Sequence, residues 1–194
     1  MRRENDELER WNQRYRQGSH SSRAPDPLLV AAYEQFIQPL FPHGGRCLDL
    51  AGGIGRHALW LAQRSWQVTL VEGSEVALAK AQTAARRKQL DVHTVMTDLR
   101  QALPRLPRFD LLLVFFYLNR GLLPELPKLL KPGGLLIYKT YTLEQLRFSG
   151  GPKRAMYLLR PNELLRAFSK LRTLHYHETV APKATAELIA QRRT

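Results

Sequence analysis

The sequence predicts an α/β fold, a mostly parallel sheet with helices on both faces. Three observations carry this expectation. The short apolar run Arg46 to Leu50 passes through a glycine cluster into Ala58-Leu-Trp-Leu-Ala62, apolar residues at helical spacing. Further apolar runs at 66–71, 90–96, 111–116 and 135–140 alternate with helical or turn-rich stretches, the rhythm of βαβ units. The last two runs, 171–178 and 184–191, are joined by Val-Ala-Pro-Lys183 with no helix between them, and read as an antiparallel pair.

Composition narrows the class. A chain of 194 residues suits one domain with a full core. No apolar run reaches the ~18 residues of a membrane span, and the charged start, Met1 to Arg10, has no signal-peptide core. A cytoplasmic protein with no membrane partner is the default. The single cysteine, Cys47, excludes an intramolecular disulfide and reads as a small buried apolar residue. The formal net charge of +13 permits nucleic acid as a partner through phosphate attraction. The basic residues are mostly dispersed arginines with short clusters such as Arg86-Arg87-Lys88, so the charge alone is not a motif.

Taken in order, the first element is a helix on which Leu8, Trp11 and Tyr15 recur at i, i+3 and i+7. It ends in the loop composition Gly18-Ser-His-Ser-Ser22. A second helix spans about Asp26 to Leu40, with Asp26 as N-cap, Pro27 at the first position and a stripe of Leu29, Ala32, Tyr33, Phe36 and Ile37. The first strand ends on Asp49, then Ala51, Gly52, Gly53 and Gly55 make the turn. Glycines suit a turn of unusual φ/ψ where backbone approaches a ligand. The helix after the turn presents its N-terminus, with Arg56 and His57, to that ligand, and backbone N–H groups there suit a carboxylate. His57 is equally well a surface residue.

Gly53-Ile-Gly55-Arg-His-Ala58 fits the dinucleotide pattern G-x-G-x-x-G/A, with Glu72 at the spacing of a ribose ligand, and so allows a nicotinamide cofactor. Asp49 points elsewhere. A carboxylate in a strand buried on both faces is costly unless satisfied, and it suits a ligand carrying an amino group and a sulfonium better than a pyrophosphate. Capping of the loop by Asp49 is the alternative.

The second strand, 66–71, leads to Glu72-Gly73-Ser74, with Ser74 capping a helix to about Lys88. The third, Leu90 to Met96, precedes Thr97-Asp98-Leu99. The fourth, 108–116, is apolar enough for the centre of a parallel sheet and ends in Phe115-Phe-Tyr117-Leu-Asn-Arg120. A helical stretch from Leu122 to Leu130 carries Pro124 and Pro127. Leu130-Lys-Pro-Gly-Gly134 turns into the fifth strand, 135–140. A short helix at 143–146 and the basic glycine-rich loop Arg147 to Arg154 follow; this is not a Walker loop, because no G-K-[S/T] closes it. A helix over 161–168 precedes the closing pair. His175 and His177 share one strand face, and no third ligand accompanies them, so no metal site is expected.

Leu48-Asp49-Leu-Ala-Gly-Gly-Ile-Gly55 resembles motif I of the class I S-adenosylmethionine-dependent methyltransferases, with Ala51 in place of the first glycine. Asp98 after strand three, Leu130-Lys-Pro-Gly-Gly134 before strand five and the closing antiparallel pair support the resemblance. Trp11-Asn-Gln-Arg-Tyr15 resembles the entry segment of the small tellurite-resistance-like and thiopurine-type methyltransferases. The resemblance implies a Rossmann-like seven-stranded, mostly parallel sheet with a C-terminal antiparallel hairpin. It implies a single domain over 1–194, with 1–24 as an N-terminal helix and lid over a 25–194 core.

It further implies S-adenosyl-L-methionine as cofactor and S-adenosyl-L-homocysteine as product. The cofactor residues are then Asp49, Ala51, Gly52, Gly53, Gly55, Glu72, Gly73 and Ser74. Asp98 and Leu99 hold the adenine, Arg14 the methionine carboxylate, and Phe115 lies on the methyl side. Docking of the first helix by Trp11 and Tyr15, and turn capping by Asp98, are the local alternatives. Tyr117, Arg120 and Arg147 are candidate contacts of a small-molecule acceptor. The D/N-P-P-Y/F signature of exocyclic-amine methylation is missing. No catalytic base stands out. An RNA methyltransferase using the basic surface is the alternative function.

Overall fold

The computed structural model describes residues 2–19, 21–101 and 103–194, with side chains from residue 7 onward; Met1 and His20 of the N-terminal segment, and Ala102, lie outside the described residues. Seven strands form one sheet in the order β3-β2-β1-β4-β5-β7-β6. Two compact units divide the chain, residues 1–104 and 105–194.

The first unit opens with α1 (Arg2–Arg16), then α2 (Pro27–Ala32). Asp26 caps α2, its carboxylate accepting the Leu28 N–H at 3.0 Å, with Pro27 at the first position. The predicted second helix is not uniform. It widens into a π turn over Tyr33–Ile37 and closes as the short α3 (Gln38–Leu40). Pro39 has no N–H to donate one turn back, and the Gln38 N–H reaches Tyr33 instead. Leu29, Ala32 and Ile37 are buried, Tyr33 and Phe36 half-buried. Tyr33 meets Trp60 edge-on at 5.2 Å, and the Arg64 guanidinium stacks 3.7 Å above Trp60.

Next come β1 (Arg46–Leu50), α4 (Arg56–Ala62), β2 (Gln67–Glu72), α5 (Glu75–Arg87) and β3 (Val92–Met96). β1 and β2 pair in parallel, with Asp49 opposite Leu70, and β2 pairs with β3 in parallel. Leu48, Leu50, Leu61 and Leu70 are fully buried. Each such leucine contributes about 1.5–3 kcal/mol relative to exposure.

The second unit holds β4 (Phe109–Phe115), β5 (Leu130–Tyr141), α6 (Glu163–Ala167), β6 (Arg172–Thr179) and β7 (Thr185–Gln191). β5 pairs with β4 in parallel and with β7 antiparallel; β6 pairs antiparallel with β7. The stretch 122–130 is not an α-helix. It forms turns and a 3-10 turn at Leu126–Leu129, because Pro124 and Pro127 remove two donors within one turn. Lys131-Pro-Gly-Gly134 lies inside the strand. Between the pairs Phe109–Leu130 and Leu111–Leu135, β4 advances two residues and β5 five, so the segment bulges. The backbone is not left open there: Gly133 donates to the Arg192 carbonyl and Arg192 donates to the Gly134 carbonyl, each at 2.9 Å. The short helix after β5 is a 3-10 turn, Leu143–Arg147.

Candidate cofactor site

The first unit gathers most of the sequence-predicted cofactor residues around the β1 turn. Asp49 is fully buried. Its Oδ2 accepts the Ala58 N–H at 3.1 Å, while Oδ1 is buried with no partner among the described residues. Burial, with a smaller push from Glu72, raises this carboxyl to about 7 against the opposing pull of the Ala58 N–H and Arg56. An orphaned buried acceptor costs free energy until a donor or cation reaches it.

The turn leaves no room for side chains at two positions. A β-carbon on Gly52 would stand 2.3 Å from Leu70 Cδ1 and 2.6 Å from the Asp49 carboxyl. On Gly53, at φ +59°, it would stand 2.7 Å from the Tyr15 hydroxyl. Ala51 itself adopts φ 55°, a conformation that alanine enters only at a cost.

Glu72 closes the other side. Its Oε2 accepts the Gly53 N–H at 2.9 Å, and its Oε1 accepts the Gly73 and Ser74 N–H groups, both at 2.9 Å. Partial desolvation raises its pKa against these three bonds. Three of the roughly four lone-pair positions of the carboxylate are occupied.

Asp98 is turned toward its own loop. Arg100 donates to it bidentately, Nε to Oδ1 at 2.8 Å and Nη2 to Oδ2 at 2.7 Å. That guanidinium holds the carboxyl below the usual range. Leu99 beside it is buried.

α1 lies over these loops. Ser74 donates from its hydroxyl to Asn12 Oδ1 at 2.6 Å and accepts the Ala77 N–H at 3.2 Å. Lys80 donates to the Tyr15 carbonyl, and Arg100 lies 3.5 Å from Glu7. Tyr15 is buried, its hydroxyl pushed up beyond the ordinary tyrosine range by desolvation. Arg14 is exposed, stacked 4.9 Å over Trp11. Asn12 was not singled out from the sequence. The W-x-x-R-Y spacing passes over it, and its partner is 62 positions away. His57 is buried rather than at the surface.

In the second unit, Phe115 is buried at the end of β4, while its neighbour Phe116 is exposed at φ 58° and packs 5.1 Å from Tyr141. The Tyr117 carbonyl accepts from the Tyr138 hydroxyl at 2.8 Å. Arg120 binds Glu163 bidentately at 2.7 and 2.9 Å and donates to the Met156 and Leu158 carbonyls, both at 2.8 Å. Arg147 is exposed and pairs with Glu144 at 2.8 Å. The loop after it is pinned by a residue without a sequence signal: buried Gln145 donates to the Gly150 carbonyl at 2.8 Å and accepts the Ala184 N–H at 2.9 Å.

An acidic strand end, a glycine turn closely packed by Leu70 and Tyr15, and a second carboxylate gripping the turn make this a candidate cofactor site at the strand ends of the α/β sheet. The buried Asp49 oxygen fits a cationic group.

Residues 47–134 match the family model described as a methyltransferase domain. The glycine/sarcosine N-methyltransferase of Aphanothece halophytica is 36% identical over 115 residues, 54% of this chain. The chain spans 43% of that relative, and 15% of each of two 23S rRNA uracil-C(5)-methyltransferases, from Pyrococcus abyssi and an Azoarcus strain. TehB from Haemophilus influenzae superposes with a TM-score of 0.72 at 18% identity, over 94% of this chain and 67% of that one. Magnesium protoporphyrin IX methyltransferase from Synechocystis, with bound S-adenosylhomocysteine, superposes with a TM-score of 0.64 at 16% identity, over 85% and 82%. Residues 47–134 thus carry a methyltransferase-domain match, and the fold is shared with these solved structures.

Among the described residues, no helix is long and apolar enough to cross a membrane, and no three His, Cys, Asp or Glu side chains form a metal site.

Proposed function

We propose that this protein transfers a methyl group from S-adenosylmethionine to a small-molecule acceptor in the cytoplasm, with residues 1–194 acting as a single methyltransferase domain. The matched family region, 47–134, runs across the boundary of the two units at 104, which supports the one-domain reading. The observation that carries the function is the fully buried Asp49 oxygen, without a partner among the described residues, beside the glycine turn. Bound there, S-adenosylmethionine supplies a methyl group activated by a sulfonium.

The chain's residues supply binding and orientation. Asp49 takes the cationic end of the ligand. Ala51, Gly52, Gly53 and Gly55 let backbone pass beside it. Glu72, with Gly73 and Ser74, takes the ribose, and Asp98 and Leu99 the adenine edge. Arg14, which has no carboxylate partner among the described residues, takes the methionine carboxylate. From the second unit the reading assigns Phe115 to the methyl side and Tyr117, Arg120 and Arg147 to the acceptor. Alignment of donor and acceptor is the main catalytic device, and no general base is assigned.

Calorimetric titration of S-adenosylhomocysteine into the wild-type chain and Asp49→Ala tests this. Micromolar binding lost in the variant supports the reading; equal affinity in both removes it. An RNA acceptor is the second reading, favoured by the net charge of +13. A steep loss of RNA binding with salt, and methylated RNA as product, would favour it.

A further inference from the structure

A concavity borders the outer side of the turn at Ile54 and Arg56. It is an open cleft of about 620 Å³ between α4, α5, the end of α1 and the segment after it. Asp49, Gly52, Gly53, Glu72 and Asp98 do not line it. Five cationic side chains do: Arg16, Arg23, Arg56, Lys80 and Arg87. Among the described residues, no Asp or Glu lines the cavity.

Three of these cations are partly engaged. Arg16 lies 2.7 Å from Glu9 and 3.7 Å from Glu75, Arg56 lies 3.9 Å from Asp26, and Lys80 donates to the Tyr15 carbonyl. Arg23 and Arg87 have exposed side chains with no hydrogen bond or ion pair to any described residue. Lys80 and Arg87 are seven residues apart on α5, two turns and about 10 Å along one helix face. Ser19 and Ser21 add neutral hydroxyl donors.

Such a cluster repels itself, more so in a chain of net charge +13, and a bound polyanion relieves the repulsion. Guanidinium forks match phosphate oxygens bidentately. The volume suits a nucleotide-sized ligand, since small-molecule pockets run about 300–1,000 Å³. Ile54, Leu59 and Val76 give the cavity an apolar wall for an uncharged portion. No aromatic side chain among the described residues lines it, so it lacks the stacking platform of single-stranded nucleic-acid sites.

We propose that this basic cleft between α4 and α5 binds a small molecule carrying two or more phosphate groups, at a site that meets the turn only at Ile54 and Arg56 and does not include Asp49 or Glu72. The inference does not depend on the methyl-transfer reading.

Inorganic tripolyphosphate is the probe, titrated calorimetrically into the full chain and into Arg23→Glu/Arg87→Glu. Affinity falls about tenfold or more in the double variant, since both phosphate contacts become repulsive. S-adenosylhomocysteine at saturation leaves tripolyphosphate binding unchanged. Circular dichroism checks the fold; should the reversal prevent folding, Arg23→Gln/Arg87→Gln is read instead, with a smaller loss in the same direction. Equal affinity in wild type and variant overturns the proposal, as does displacement by S-adenosylhomocysteine. A twelve-nucleotide RNA that binds more tightly than tripolyphosphate, and loses affinity in the same variant, overturns it in favour of nucleic acid.

Discussion

The Glu72 carboxylate accepts the Gly53 N–H at 2.9 Å across 19 positions, tying the end of β2 to the middle of the glycine turn. The same carboxylate receives the Gly73 and Ser74 N–H groups, so one side chain holds two loops together. Glu72→Gln replaces one acceptor oxygen with a donor facing an N–H group. A buried donor left unsatisfied costs about 1–3 kcal/mol. A loss of that size in a urea melt, with Gly53 and Gly73 amides exchanging faster by hydrogen–deuterium exchange, is the expected outcome.

Asp49 makes stability depend on pH. Its folded-state pKa, about 7, lies above its ordinary 3.8, so the folded state holds its proton more tightly than the unfolded chain. The stability from neutral Asp49 is fully present below about pH 4 and is lost as pH rises through about 7. Glu72 is shifted the same way. Asp98 and Glu163 are shifted down, so their contributions are lost only on acidification below the usual carboxylate range. The ligand-free protein should therefore be more stable at pH 5.5 than at pH 8. Denaturant midpoints should show a shallower decline over that interval for Asp49→Asn; an identical decline would remove Asp49 as its source.

Ala51 and Gly52 should respond in opposite directions to small changes. Ala51 sits at φ 55°, so Ala51→Gly relieves strain worth about 1 kcal/mol before the extra unfolded-state entropy of glycine is subtracted. A rise of a few degrees or less in melting temperature is expected. Gly52→Ala drives a methyl group into Leu70 and the Asp49 carboxyl, and should lower the melting temperature clearly.

Ser74 serves both α5 and α1. Removing its hydroxyl in Ser74→Ala loses a helix cap worth about 1 kcal/mol and leaves Asn12 without its donor. Asn12→Ala keeps the cap and removes only the tie to α1. Hydrogen exchange should then rise over α1 in both variants, and over the first turn of α5 in Ser74→Ala alone.

Arg120 joins four acceptors on the 156–163 segment. Arg120→Met should destabilise the protein by about 2–3 kcal/mol, since charge-assisted bonds to a half-buried carboxylate are lost together. Arg120→Lys should recover only part of this, because an ammonium cannot reproduce the bidentate fork. Full recovery by lysine in chemical denaturation would argue against that geometry.

The α/β class, the order of strands and helices, the turn after β1 and the caps at Asp26 and Ser74 were all legible in the sequence. Each rests on spacing or residue chemistry within a few positions, where local sterics and periodicity decide. Local reading failed where proline removed donors: the π turn before Pro39 and the open turns around Pro124 and Pro127 replaced regular helix. It also placed Lys131-Pro-Gly-Gly134 before β5, whereas the Arg192 backbone, 58–59 residues away in the chain, draws that segment into the strand. Tertiary structure alone decided that, among the described residues, Asp49 keeps one oxygen without a partner, Asp98 is gripped by Arg100, Asn12 holds Ser74, and Arg23 and Arg87 share a cleft without acids. Those facts depend on which side chains meet after the chain has closed loops of tens of residues. Their energies come from desolvation and charge, quantities that exist only once burial and distance are set.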